Sequence, residues 1–404
     1  SLTYIYNLCI EKCTFPAAFK ISKVVPLPKT NNDLDDVNNY RPISVLSLLS
    51  KPLERHVQQN LQKYLNTHSL FHPFQSGFRP HHSCHSALVN LVNKWLVGIN
   101  DKQISGAVFL DFRKAFDLIN HDILLSKLSF YLRNQSSVSF FKSYLHNRRQ
   151  SVYLNGNFSA EGTVIHGVPQ GSILGPVLFC LFINDLPLHI SNDKVVCEMF
   201  ADDTTLHSSG KTPEQLSNNL QPSLNEVSTW CQSNLMVLNP LKTECVMITT
   251  RQKHQIQPLL LNLAVGTTDI KQVTEHRLLG VVIDNQLQWR PHVEKMCKAV
   301  SKNLFLLSRL KYLVDLNTRK LFYNAHIKPH FDYSSTVWDG CSENLIKRLN
   351  SLHRRAAKLI LPDPSLSTDE KLAALSLLPL QKQLCFNKCV LMHKTLHDKT
   401  PDYL

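Results

Sequence analysis

The sequence predicts an α+β chain, a sheet-bearing core followed by a mainly helical C-terminal region. Three observations point that way. "ISGAVFLDF" (104–112) is a short apolar run bounded by glycine and charge, as in a buried strand. "KVVCEMFADDTTLH" (194–207) reads as strand, tight turn, strand, and "ECVMITT" (244–250) as another strand beyond a helical stretch. The order strand, helix, hairpin, helix, strand, then helical pattern from Pro291 to Leu404, suits segregated α and β elements.

The remaining elements follow in chain order. Residues 1–20 are helical in pattern, and "FKISKVVPLPKT" (19–30) reads as a basic strand. "NNDLDDVNNYRP" (31–42) is a polar, turn-rich loop. "ISVLSLLSKPLERHVQQNLQKYL" (43–65) has helical periodicity, with Pro52 a break or a first-turn residue. An irregular basic loop (71–85) leads into a helix over 83–95. "NHDILLSKL" (120–128) starts the next helix. "RQSVYLNGNFSAEGTVI" (149–165) alternates around Asn155-Gly156, a strong hairpin signal. "GVPQGSILGPVLFCLFINDL" (167–186) is a Gly/Pro loop feeding an apolar helix, a helix spans about 212–233, and "HRLLGVVIDNQLQW" (276–289) is a second hairpin.

The chain has 404 residues, 43% hydrophobic, with a net charge of +13 spread along its length. Such an excess of Lys and Arg on a folded chain fits a polyanionic partner, most simply nucleic acid. No run approaches the ~18 apolar residues of a membrane span, so no membrane partner is expected. The eleven cysteines form no Cys-x-x-Cys pair. Cys9/Cys13 and Cys385/Cys389 lie one helical turn apart and are expected on buried helix faces. "HHSCH" (81–85) lacks a second ligand pair at finger spacing, so zinc is not expected there. The pattern suits a reduced, intracellular protein, nuclear or cytoplasmic.

The informative cluster is acidic. Asp111 ends one strand, and Asp202 and Asp203 sit in the strand–turn–strand unit. Asp-Asp in a turn is ordinarily solvated and idle. If the strands are neighbours, three carboxylates converge, and about 4 Å between two charges costs roughly 1–4 kcal/mol across the range from water to a protein surface. Hard divalent cations would offset this, and Mg²⁺ typically takes one or two carboxylates plus substrate phosphates.

"AVFLDFRKAFD", "HGVPQGSILGPVLFCLFINDLP" and "MFADDTT", in this order and spacing, resemble the palm motifs of reverse transcriptases, in particular the non-LTR (LINE-like) retrotransposon branch. "NNYRPISVLSLLSKPLERHV" and "FQSGFRPHHSC" resemble that branch's fingers. "WCQSNLMVLNPLKTECVMI" and "HRLLGVVIDNQLQWRPHV" resemble its later palm motif and primer-grip hairpin, and "LHRRAAKLILP" with "LLPLQKQ" its thumb-side continuation. The resemblance covers essentially the whole chain. It implies a right-hand polymerase: fingers over 1–105, palm over 106–290, a helical thumb and C-terminal extension over 291–404. Within the palm it implies a fingers-side insertion near 130–165 and a primer-grip hairpin near 273–290. The implied activity is RNA-directed DNA polymerisation by two-metal phosphoryl transfer, with RNA template, DNA primer and dNTPs as partners and two Mg²⁺ (or Mn²⁺) as cofactors.

The resemblance also implies roles. Asp111 and Asp202 would bind the metals, with Asp203 assisting and Phe112 lending its backbone. Phe112, Arg113, Lys114 and Ala115 would offer backbone groups to metal and triphosphate. Phe116 would exclude a 2′-hydroxyl. Lys29 and Arg41 would close on the triphosphate, an Arg fork gripping two oxygens where Lys acts as a point charge. Gln170 and Gly171 would lie against nucleotide and template, and Lys242 would donate a proton to the leaving pyrophosphate. Arg79, Arg148 and Arg149 are expected on the phosphate backbone, and Arg354, Arg355 and Lys358 on the duplex. Leu279 departs from the aromatic frequent in the family's hairpin, and Phe112-Arg113 from a smaller pair. No endonuclease segment is recognisable, so the chain is expected to polymerise without initiating its own insertion. The alternatives are a catalytically silent RNA- or RNP-binding remnant of such an element, an intron-maturase-like splicing partner, and a truncated reading frame never made as a stable protein. The intact acids argue against the silent remnant, and "QGSILGP" and the lack of an evident maturase domain argue against the splicing partner.

Overall fold

The computed structural model describes residues 1–29, 35–256 and 260–404. Residues 31–34 of the expected polar loop, and Thr30 of the strand before it, lie outside the described residues.

An N-terminal helix, Leu2–Glu11, precedes β1 (Ile21–Pro28), which pairs antiparallel with β2 (Tyr40–Val45). The helix expected over 43–65 begins only at Ser50 and runs to Thr67. Ile43–Val45 instead complete β2: Arg41 precedes a proline, which favours extended backbone, and the ladder to β1 carries that conformation on. Pro52 falls in the helix's first turn, where its missing N–H costs nothing. Ser83 caps the next helix, Cys84–Asn100, through a reciprocal capping box with Ser86, and it runs five residues beyond the expected end.

β3 (Ile104–Leu110) is buried along its whole length. Ile104, Val108 and Leu110 face one apolar core, while Ala107 and Phe109 face a second, shared with the Cys84–Asn100 helix and the C-terminal helices. A strand covered on both faces reads as an unbroken apolar run, and this one does. β4 (Arg148–Leu154), β5 (Asn157–Phe158) and β6 (Gly162–Val164) extend the N-terminal sheet, β4 pairing parallel to β1. Asn155 and Gly156 both have positive φ (49° and 87°), as a two-residue type I′ turn requires.

β7 (Val196–Phe200), β8 (Asp203–Gly210) and β9 (Glu244–Ile248) join β3 in the central sheet. After the short pair β10 (Ala264–Val265) and β11 (Thr268–Asp269), β12 (Lys271–Gln272) closes that sheet, in the order β12-β9-β3-β8-β7. β13 (Glu275–Leu278) and β14 (Val281–Asp284) form the second hairpin, turning at Leu279 and Gly280 (φ 44° and 89°). From Arg290 onwards the chain is helical. No helix among the described residues is long and apolar enough to cross a membrane. Cys9 is buried as expected, but Cys385 and Cys389 are exposed: their helix, Leu380–Leu396, buries only its first turns, through Leu380 and Leu384.

One buried acid ties the two sheets' connections together. Glu54 is fully buried and accepts hydrogen bonds from the Ile173 and Leu174 amides (2.8 and 3.3 Å) and the Ser50 hydroxyl (3.1 Å). It thereby caps the apolar helix Gly175–Ile183 from another element. Glu54→Ala would orphan these buried donors and is expected to cost about 3 kcal/mol, Glu54→Gln, which keeps one acceptor, about 1 kcal/mol, read by urea denaturation.

Candidate active site

The site is set by strand register. β3 and β8 run antiparallel with Leu110 opposite Thr204, and one further step sets Asp111 opposite Asp203. Cross-strand neighbours have Cβ atoms about 4.5–5.5 Å apart. β7 and β8 stay paired up to Phe200 and Asp203, leaving Ala201 and Asp202 as a two-residue turn. Ala201 takes φ 58°, as the first position of a type II′ turn demands and as glycine normally supplies. The three acids therefore share one end of the central sheet.

Their proximity shows in their chemistry. Loss of solvent and then the charges of Asp202 and Asp111 push the Asp203 carboxyl up to about 6. Asp202 is raised too: loss of solvent leads and Asp111 adds, while its own backbone amide and Arg41 pull the other way. Both side chains keep solvent exposure, so the mutual charge is the part of the shift that a counter-ion answers. Among the described residues no three acid, His or Cys side chains already close into a ligand cage. A hard cation that takes one or two carboxylates and completes its shell with phosphate oxygens does not need one, and this donor set fits it.

Asp111 is held from a segment whose role sequence reading missed. Asn239 Nδ2 donates to Asp111 Oδ2 (3.1 Å) and the Asn239 amide to the Asp111 carbonyl (2.8 Å). The Thr243 hydroxyl accepts from the Asp111 amide (3.3 Å) and donates to the Asn239 carbonyl (2.9 Å). Asn239-Pro240 reads locally as an ordinary turn, so only the fold reveals the contact. The bridge between Phe112 and Leu238 uses the backbone groups of Asp111 and Arg113, leaving Phe112's own carbonyl outside that ladder. The Arg113 amide is taken by the Val237 carbonyl (2.8 Å) and is not free for phosphate. The Arg113 and Lys114 side chains are exposed, as is Lys242 on the Asn239 loop.

Phe116 is half-buried and stacks on Phe179, ring centroids 4.5 Å apart. Gln170 Nε2 donates to Asp117 Oδ1 (2.8 Å), a partner that sequence reading did not single out. Burial raises the Asp117 carboxyl, while Gln170, Lys114 and Lys29 oppose the rise. Gly171 (φ 117°) makes its close approach to protein: a Cβ would meet the Ser44 carbonyl at 2.6 Å. Lys29 donates to the Asn38 carbonyl (2.9 Å), and Arg41, exposed on β2, reaches the field of Asp202.

Two expected phosphate contacts are corrected. Arg148 is 1% exposed, donates to the Tyr144 carbonyl (3.0 Å) and lies over the Tyr144 ring. Arg79 is turned inwards onto the His72 and Gln75 carbonyls (3.1 and 2.9 Å). A strand or loop arginine looks alike in sequence whether it faces water or carbonyls. Arg149 is exposed and pairs with Glu161 (2.8 Å). Arg354, Arg355 and Lys358 line a basic cleft of about 370 Å³ on the helix Glu343–Ile360, remote in sequence from the acids, with Arg354 paired to Asp369 (2.6 Å).

The Asp203 shift has a sign. Its folded value, about 6, exceeds the ordinary 3.8, so the fold favours the neutral carboxyl. Stability from this group is present below about pH 4 and is lost as pH rises through about 6. In EDTA, the wild-type melting temperature is expected to fall relative to Asp203→Asn across that window. Parallel curves would contradict the shift.

The family model "Reverse transcriptase (RNA-dependent DNA polymerase)" matches residues 27–283. "Probable RNA-directed DNA polymerase from transposon BS" of Drosophila melanogaster is 29% identical over 373 residues, 90% of this chain and 40% of that protein. "RNA-directed DNA polymerase from mobile element jockey" of the same organism is 26% identical over 367 residues, 89% of this chain and 39% of that protein. The chain thus spans about two fifths of the length of the curated relatives it matches. Among solved structures, apo telomerase from Candida tropicalis is similar at a TM-score of 0.49 and 13% identity, covering 93% of this chain and 62% of that one. The family match takes in Asp111, Asp202, Asp203 and the Asn239 segment that holds Asp111, and the chain belongs to the reverse transcriptase family.

Proposed function

We propose that this chain is an RNA-directed DNA polymerase of a non-LTR retrotransposon, extending a DNA primer on an RNA template with dNTPs. The observation that carries the reading is the meeting of Asp111, Asp202 and Asp203 at one sheet end, where the neighbouring charges help to raise the Asp202 and Asp203 carboxyls. A silent nucleic-acid binder has no use for that repulsion. In this reading residues 1–105 are fingers, 106–290 palm and 291–404 thumb and extension. The hairpin β13–β14 is the primer grip.

Asp111 and Asp202, with Asp203 and the Phe112 carbonyl beside them, would hold two Mg²⁺ or Mn²⁺ ions. Bound there, the ions supply charge neutralisation at the primer 3′-hydroxyl, the α-phosphate and the leaving pyrophosphate. The protein's own contribution is position and charge. Asn239 fixes the Asp111 carboxylate so that it need not reorganise as charge develops. Arg41 and Lys29, on β2 and just past β1, and Lys114 present cations to the triphosphate side. Lys242, exposed on the Asn239 loop, would donate a proton to the leaving pyrophosphate. Phe116, braced by Phe179, sets a wall against a 2′-hydroxyl. Gln170, oriented by Asp117, offers its carbonyl to the sugar or base edge.

Primer extension on poly(rA)/oligo(dT) with Mg²⁺ and dTTP tests this. Wild type is expected to extend, and Asp202→Asn to lose at least about 10²–10³-fold in rate with heteroduplex affinity retained. Phe116→Val is expected to narrow the preference for deoxy- over ribonucleotides, in kcat/KM, by about tenfold or more. Binding without extension by either acid or Asn form would favour the silent remnant. Equal extension by both would sink the carboxylate assignment.

A further inference from the structure

The turn that presents Asp202 is not self-supporting. Ala201 stands in the left-handed region (φ 58°), where a Cβ is unfavourable by roughly 1–2 kcal/mol. Its amide is held from a loop over 120 residues earlier: Gln75 Oε1 accepts from the Ala201 amide (3.2 Å) and the Gly77 amide (2.8 Å). Two donors converge on this atom, so it is the amide oxygen. The same loop adds a strand-like bridge beside the turn. The Met199 amide donates to the Phe74 carbonyl (3.0 Å) and the Ser76 amide to the Met199 carbonyl (2.8 Å). Gly77 must lack a side chain, because a Cβ there would overlap the Ala201 amide nitrogen.

Gln75 is fully buried, and its Nε2 meets no acceptor among the described residues. An orphaned buried donor costs about 1–3 kcal/mol, so stability alone does not account for the residue. The site does account for it: the turn needs an acceptor, and a carboxylate there would add a fourth negative charge beside Asp202.

The loop is in turn fastened from the far end of the chain. Tyr403 Oη and Ser76 Oγ are hydrogen-bonded at 2.7 Å, and His82 Nδ1 lies 3.3 Å from the same hydroxyl. The Tyr403 ring sits 6.1 Å from that of Phe74 and 5.8 Å from that of His82, and Pro401, two residues before Tyr403, is buried. A continuous set of contacts thus runs from Tyr403 through Ser76 and Gln75 to Ala201 and Asp202.

We propose that Gln75 is the positioning residue of the Asp202 turn, and that Tyr403, through Ser76, couples the C-terminal helical region to metal binding at the acids. This rests on the polymerase reading above. The test uses the full chain bound to an RNA/DNA heteroduplex, with Mn²⁺ binding followed by electron paramagnetic resonance beside primer extension. Gln75→Met, similar in length but without an acceptor, is expected to weaken Mn²⁺ binding about 10–100-fold, the scale for residues that orient metal ligands. Tyr403→Phe, which keeps the ring, is expected to weaken it about 2–10-fold, the scale of one hydrogen bond. In both, heteroduplex affinity should hold within about twofold and raised Mn²⁺ should restore the rate, which a merely structural loss would not allow. Should Gln75→Met fail to fold, Tyr403→Phe decides. Unchanged Mn²⁺ affinity, or a rate that saturating Mn²⁺ does not restore, overturns the proposal while leaving wild-type catalysis intact. A wild type binding Mn²⁺ no better than Asp202→Asn overturns the polymerase reading and this proposal with it.

Discussion

Like charges set side by side cost free energy, and Asp111, Asp202 and Asp203 are held together by a register that leaves them no other place. Leu110 opposite Thr204 and Phe200 opposite Asp203 fix where each carboxylate emerges. A one-residue slip of β8 would exchange the residues on its two faces, both of which are buried from Thr204 to Ser208, and β3 is packed on both faces. The two cores therefore hold the register, and the register holds the acids. Their mutual repulsion is what a divalent cation and a polyphosphate would relieve.

The supports around the acids are neutral or cationic in a consistent way. Two carboxamides, Asn239 on Asp111 and Gln75 at Ala201, fix the acid-bearing segments without adding charge. Arg41, Lys29 and Lys114 stand on the outer side, where their fields reach Asp202 and Asp117. The fully buried carboxylate Glu54 lies outside this cluster and has its own amide donors. The division separates charge meant to meet a ligand from charge meant to organise the fold.

Much of this was legible where the signal is local. The hairpin at Ala201-Asp202, the type I′ turn at Asn155-Gly156 and the buried strand β3 each follow from a few adjacent residues. The acids' convergence followed once β3 and the β7–β8 hairpin were placed in one sheet. What escaped depends on partners far apart in sequence. Gln75, Asn239, Asp117 and Glu54 are unremarked polar residues until the fold shows what they touch. Arg148 and Arg79 failed for the same reason, because carbonyls and aromatic rings that bury a guanidinium leave no mark beside it in sequence. Ile43–Val45 was misread as helix because periodicity cannot see the β1 ladder that extends it.

The central claim is that the acid cluster is built for divalent cations. The most direct measurement is the melting temperature of the metal-free chain at pH 7 as Mg²⁺ is added, for wild type and for Asp111→Asn/Asp202→Asn. A ligand that binds only the folded state stabilises it in proportion to the logarithm of its concentration over Kd. The account predicts a concentration-dependent rise in wild type that the double variant lacks, since the variant has already lost the repulsion. An equal rise in both, or none in wild type, would contradict it.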